Sequence, residues 1–107
     1  MEYLNKVEIR GVIGQVHITK VADTETAQFS VLTEDVFRSK DGGAAINCTW
    51  FSVRAWKGKG VVDLEKLQKG SKVHVIGRFR CQRYVGSDGC EKTSFEIFAS
   101  NVELVEG

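Results

Sequence analysis

The chain has 107 residues, a formal net charge of +1, and is 42% hydrophobic and 27% charged. This length suits one domain, residues 1–107, that buries roughly two thirds of its unfolded surface, and the composition excludes a disordered or membrane-embedded chain. Near-neutral charge means that any basic surface must be local. Three scattered cysteines without a CxxC pair exclude a disulfide framework and fit a reducing compartment.

The N-terminus MEYLNKVEIR is charged and lacks the apolar stretch of a signal peptide, and no run approaches a membrane span. VEIRGVIGQVHITKV (Val7–Val21) alternates as a strand but changes phase. Val7 and Ile9 are odd-numbered, whereas Val12, Val16 and Ile18 are even. Gly11 stands at the switch, where a glycine can host a bulge or sharp bend. TAQFSVLTEDVF (Thr26–Phe37) is the second strand, with Phe29 and Val31 inward. RSKDGGAAIN (Arg38–Asn47) reads as a loop, CTWFSVRAW (Cys48–Trp56) as the third strand, and KGKG (Lys57–Gly60) as its break.

VVDLEKLQKG (Val61–Gly70) predicts a short helix, with Leu64 and Leu67 at turn spacing and Gly70 as its stop. SKVHVIGRFRCQRY (Ser71–Tyr84) is the fourth strand, with Val73, Val75 and Phe79 on its inner face. VGSDGCEK is a turn. TSFEIFASNVELV (Thr93–Val105) is the fifth strand, with Phe95, Ile97 and Ala99 in phase and Val102 and Leu104 after a slip. Five strands with one short helix between the third and fourth predict an all-β fold, the five-stranded Greek-key barrel called the OB-fold. An immunoglobulin-like sandwich needs about seven strands, and the helix position argues against an SH3-like barrel.

A half-buried strand is apolar on one face and polar on the other. The third strand breaks that rule. Phe51, Val53 and Ala55 supply the inner face, yet the other face carries Trp50, Ser52, Arg54 and Trp56, both tryptophans of the chain with an arginine between them. On the fourth strand the corresponding face ends in Arg78, Arg80 and Tyr84, and Phe37 is expected to join the group from the second strand. Flat rings interleaved with guanidinium groups suit single-stranded nucleic acid. A base stacked on an aromatic side chain contributes roughly 1–3 kcal/mol whatever the base, and arginine adds phosphate or cation–π contacts. Bases would stack on Phe37, Trp50, Trp56 and Tyr84, while Arg54, Lys57, Lys59, Arg78, Arg80 and Arg83 track the backbone. Lys6, Glu8 and Arg10 alternate beside Val7 and Ile9, so antiparallel pairing with a second copy would set opposite charges face to face.

Several segments resemble bacterial single-stranded-DNA-binding proteins: NKVEIRGVIG near the start, FSVLTEDVF, TWFSVRAW, LQKGSKVHVIGRFR and the closing FEIFASNVELVE. The resemblance covers Asn5 to Glu106. It implies an OB-fold that assembles as a homotetramer and wraps single-stranded DNA in replication, recombination and repair, in the bacterial cytoplasm with the nucleoid. It also implies stacking at Phe37, Trp50, Trp56 and Tyr84. Trp50 agrees with the commonest family residue, Phe37 and Tyr84 stand where tryptophan is frequent, and Trp56 stands where phenylalanine is common. Phe51 occupies a position where histidine is frequent, near a subunit contact, so a homodimer remains an alternative assembly. The family usually carries an acidic C-terminal tail that recruits replication and repair enzymes. The sequence stops just past the barrel, so either a tail has been removed or the natural protein lacks one and that recruitment is in doubt; a specialised relative, as from a mobile element, or a primosomal-type one fits these departures.

Two other classes compete. An OB-fold adaptor would use the tryptophan face for a protein partner. An enzyme would need clustered carboxylates, a nucleophile beside a histidine, or a phosphate loop, and none is present. Neither Cys48, Cys81 and Cys90 nor His17 and His74 show metal-ligand spacing, so no metal or cofactor is expected.

Overall fold

The structure, a computed structural model, describes residues 1–106. Gly107, the last residue of the expected domain, lies outside the described residues. Five strands follow in order: β1 (Val7–Val21), β2 (Thr24–Arg38), β3 (Ala44–Trp56), β4 (Lys72–Val85) and β5 (Glu91–Leu104). They close a barrel in the order β1-β2-β3-β5-β4. Neighbours are antiparallel except at the closure, where β3 and β5 run parallel through Val53 opposite Ile97 and Arg54 opposite Phe98. The OB barrel expected from the sequence is therefore the observed fold.

The first strand serves two sides of the barrel. It pairs with β4 over Val7–Val12 and with β2 over Val12–Val21. Its phase changes at a bulge between Ile13 and Val16, not at Gly11. Ile13 is buried and Val12 exposed, the reverse of the sequence expectation. Gly14 and Gln15 together oppose Ser30, and the spare amide of Gln15 donates to the Ser30 hydroxyl at 3.0 Å. That bond satisfies the donor a bulge leaves out of the ladder. Gly11 has a different reason: a side chain there would run into the Leu32 carbonyl, where β1 passes from one partner strand to the other.

The core is Ile13, Ala27, Phe29, Val31, Val53, Ala55, Val73, Val75, Ile97 and Val102, alternate residues of the strands, with Leu64 and Leu67 added. These two leucines come from the segment expected to be a helix. Only Leu64–Lys66 turns, as a single 3-10 turn. Its segment is tied to β1 by Gly70 N–H donating to the Ile13 carbonyl at 2.8 Å and Ile13 N–H to that of Ser71 at 2.9 Å. The slip on β5 falls at Ser100, whose hydroxyl donates to the Ile76 carbonyl at 3.1 Å.

The loop expected over residues 38–47 is shorter. β3 begins at Ala44, and β2 and β3 stay in unbroken register from Thr26 opposite Trp56 to Arg38 opposite Ala44. β4 and β5 likewise pair out to Val85 opposite Glu91. β1 flanks β2 only as far as Leu32 and β4 only as far as Gly77, and β3 meets β5 only at Val53 and Arg54, so beyond these limits each hairpin runs on as a two-stranded arm. Because β3 and β5 are parallel, both arms leave the same end of the barrel. This explains why Phe79 and Phe95, expected in the core from their parity, are exposed. Their faces continue the inward parity beyond the point where there is an inside.

Candidate nucleic-acid interface

Trp50 and Trp56 both point out of the barrel, 58% and 40% exposed. Six residues separate them along β3, roughly 20 Å of strand. Each indole has a defined seat. Trp50 lies across β1 at Gly14, where a β-carbon would come within 2.5 Å of its Cζ3 and 2.8 Å of its Cη2. Only glycine leaves room for that ring. Trp56 packs on Phe98 of β5, ring centres 5.2 Å apart and planes tilted by 59°. The Arg80 guanidinium sits 4.9 Å from the centre of the same Phe98 ring. Tilted aromatic pairs and cation–π contacts each add on the order of 0.5–1.5 kcal/mol. Phe98 thus fixes an aromatic and a cation side by side.

Between the tryptophans lies a polar network. Glu96, on the outer face of β5, is nearly buried. It accepts from Arg54 Nε at 3.3 Å and from Gln28 Nε2 at 3.1 Å. A buried carboxylate is tolerated only when paired and hydrogen-bonded, and Glu96 is both. Arg54, expected on the nucleic-acid backbone, is therefore engaged within the protein. Beside this network an open groove runs over β1, β2 and β3, lined by Gln15, His17, Gln28, Ser30, Ser52 and Lys69.

The arms carry the other expected residues. Tyr84 is 49% exposed and shares the outer parity of Arg78 and Arg80 on β4. Lys57 and Lys59 are exposed in the turn after Trp56. Phe37 is 51% exposed, but the register puts it opposite Ala45, on the face of Phe51 and Val53 and not of Trp50. It sits across the ribbon from the tryptophans, a correction to the single shared face read from the sequence. Arg83 also departs, lying on the parity of Phe79 and bridging Glu91 at 3.8 Å. At the β2–β3 tip, the Ser39 hydroxyl and the Gly43 amide donate to the Asp41 carboxylate, holding its pKa below the ordinary value.

The expected oligomer residues fall in two places. Glu8 and Arg10 lie outward on β1 and converge on His74 of β4: Nε2 to Glu8 at 2.6 Å, Nδ1 to an Arg10 amine at 3.2 Å. The second contact makes Nδ1 the acceptor and Nε2 the donor. Lys6 is exposed just before β1. Phe51 is partly buried against the core. Among the described residues, no strand borders the edge of Val7–Gly11 away from β4. Also among the described residues, no group of acidic, histidine or cysteine side chains is arranged to hold a metal, and no helix is long and apolar enough to cross a membrane.

Gly14, Gln28, Glu96 and Phe98 were not singled out by the sequence reading. The last two carry a signal: with Ile97 inward, the even residues of β5 must face outward beside Arg54 and Arg80.

The family model described as the single-strand binding protein family matches residues 4–105. The chain is similar to the single-stranded DNA-binding protein of Xanthomonas axonopodis pv. citri, 32% identical over 106 residues, which are 97% of this chain and 59% of that protein. It is also similar to the single-stranded DNA-binding protein of Neisseria meningitidis serogroup A, 26% identical over 106 residues, 97% of this chain and 61% of that one. The chain therefore spans about three fifths of these relatives' length. In fold it matches an SSB of Plasmodium falciparum solved in complex with ssDNA, with a TM-score of 0.81, 21% identity, and coverage of 99% of this chain and 98% of the other.

Proposed function

The chain belongs to the single-strand binding protein family, and from that premise we propose that it binds single-stranded DNA without sequence preference, in replication, recombination and repair. One observation carries the reading. Two indoles are held open on the outer face, each on its own seat, where an unpaired base can lie against them. Duplex DNA hides its base faces and offers such rings nothing to stack on. Tyr84 and Phe37 extend the aromatic set along the arms. Arg78, Arg80, Lys57 and Lys59 supply phosphate contacts, and the groove between the tryptophans offers hydrogen-bonding groups of mixed kind, with no ordered set of donors that would read a base sequence. The role is binding and not catalysis.

Self-association completes the site count. The open edge of Val7–Gly11, away from β4, offers backbone groups for antiparallel pairing with a second copy. A two-fold axis near Ile9 would set Glu8 of one copy against Arg10 of the other. Two such dimers give a homotetramer, and several linked sites on one strand raise avidity above that of any single site. We infer that this work is done in the bacterial cytoplasm, with nucleoid DNA, a reading that the likeness to bacterial proteins supports.

The deciding experiment is a titration with oligo(dT) at low salt. Tryptophan emission is expected to quench on binding and to recover as salt displaces the strand. A flat titration overturns the reading and favours an adaptor that uses the tryptophan face for a protein partner. Light scattering with and without oligo(dT) reports the assembly.

A further inference from the structure

The β4–β5 arm has two faces, and Arg80 and Tyr84 lie on the outer one. On the other, Phe79 and Phe95 stack with ring centres 5.8 Å apart and planes 23° from parallel. They are 47% and 58% exposed, although each is large and apolar. Cys81 lies directly opposite Phe95, and Arg83 follows on the same parity, its guanidinium in only a long, exposed contact with Glu91. The backbone beneath is pinned. The Asn5 side chain donates to the Phe79 carbonyl at 2.9 Å and accepts from the Phe79 amide at 3.0 Å, copying a strand neighbour.

We propose that this face is a second base-stacking surface for the same single strand, with Phe79 and Phe95 as its platform and Arg83 as its phosphate contact. The inference rests on the single-strand reading above and goes beyond it in assigning a site on the opposite side of the arm. Three features select this occupant. The rings are already stacked, so little side-chain freedom is lost when a base joins them. An arginine flanks them, as arginines flank the rings of the outer face. The same two strands carry Tyr84 on their other side, so a strand leaving the outer face reaches this one around the arm's rim. A protein partner fits less well, because two half-exposed rings offer far less than the roughly 800 Å² per side that a stable interface buries.

The test is photocrosslinking of the wild-type protein to oligo(dT) carrying 5-iododeoxyuridine, with peptide mapping by mass spectrometry. Crosslinks are expected at Phe79 or Phe95 in addition to those at Trp50 and Trp56. The double variant F79L/F95L keeps the apolar volume and removes the rings. It is expected to bind long oligo(dT) about 5- to 150-fold more weakly, the range of one stacked base, with tryptophan quenching retained at saturation and the scattering mass unchanged. Crosslinks confined to the tryptophan face, with unaltered affinity of the variant, overturn the proposal. A fall in mass without loss of affinity also overturns it and marks the face as a contact between copies. No quenching and no crosslinks at all defeats the single-strand reading itself, an outcome distinct from losing this face alone.

Discussion

Trp50 rests on Gly14, its six-membered ring occupying the space a β-carbon would need. The bulge that shifts the parity of the first strand thus also makes the seat for an exposed indole. Gly14→Ala is expected to push the ring off that seat while leaving the barrel folded. Oligo(dT) binding should weaken by about 1–3 kcal/mol, the loss of one stack, read by titration beside a circular dichroism control. Trp50→Ala should cost the same, and the double change no more than either alone. Additive losses would separate the two residues.

Phe98 is expected to couple Trp56 and Arg80. Trp56→Ala should weaken binding by about 1–3 kcal/mol with the fold intact. Phe98→Ala, which removes no base contact of its own, should cost about 0.5–1.5 kcal/mol by freeing both neighbours. A double-mutant cycle on Trp56 and Phe98 measures the coupling. Zero coupling would mean that Phe98 merely fills space.

Two arginines on the outer face should behave differently. Arg80→Ala is expected to flatten the dependence of log affinity on log salt by about 0.7, one phosphate contact to a single strand. Arg54→Ala should leave that slope nearly unchanged, because Arg54 is tied to Glu96. Its cost should appear as stability, about 1–3 kcal/mol, from the carboxylate left without its cation. Chemical denaturation and salt titrations of both variants decide the matter, and equal slopes would contradict the assignment.

The β2–β3 tip should respond to acid. Hydrogen bonds from Ser39 and Gly43 favour ionised Asp41 and lower its pKa. The folded value lies below the unfolded one, so the contribution to tip order is fully present above the unfolded value. It is lost as pH falls through the lowered folded value. The Gly43 amide shift, followed by NMR, should titrate below the ordinary aspartate range, and Asp41→Asn should abolish the transition. A midpoint at the ordinary value would show that the tip bonds do not form in solution.

Period-two alternation made the strands and their order readable, and the aromatic breach of that alternation on β3 marked the interface. What escaped the sequence has a common cause. Parity tells which face a residue is on, but not whether the barrel still encloses that face. Phe79, at the base of the β4–β5 arm, and Phe95, on it, have core parity but lie beyond the stretch of β4 that β1 flanks. The bulge was misplaced at Gly11 because two glycines stood three residues apart, and only the pairing shows that the extra residue falls at Gly14 and Gln15. The expected helix shrank to a turn because Leu64 and Leu67 had only to reach the core, which three residues of 3-10 geometry achieve. Phe98 was passed over because β5 was read for its inward residues alone.

Phe37 and Trp50 lie on opposite sides of one two-stranded ribbon. A polymer touching both has to bend around the ribbon's rim, so its two ends come closer together than in the free chain. Dyes at the ends of a long oligo(dT) should therefore report a rise in energy transfer on binding, and Phe37→Ala should straighten the path without emptying the tryptophan seats.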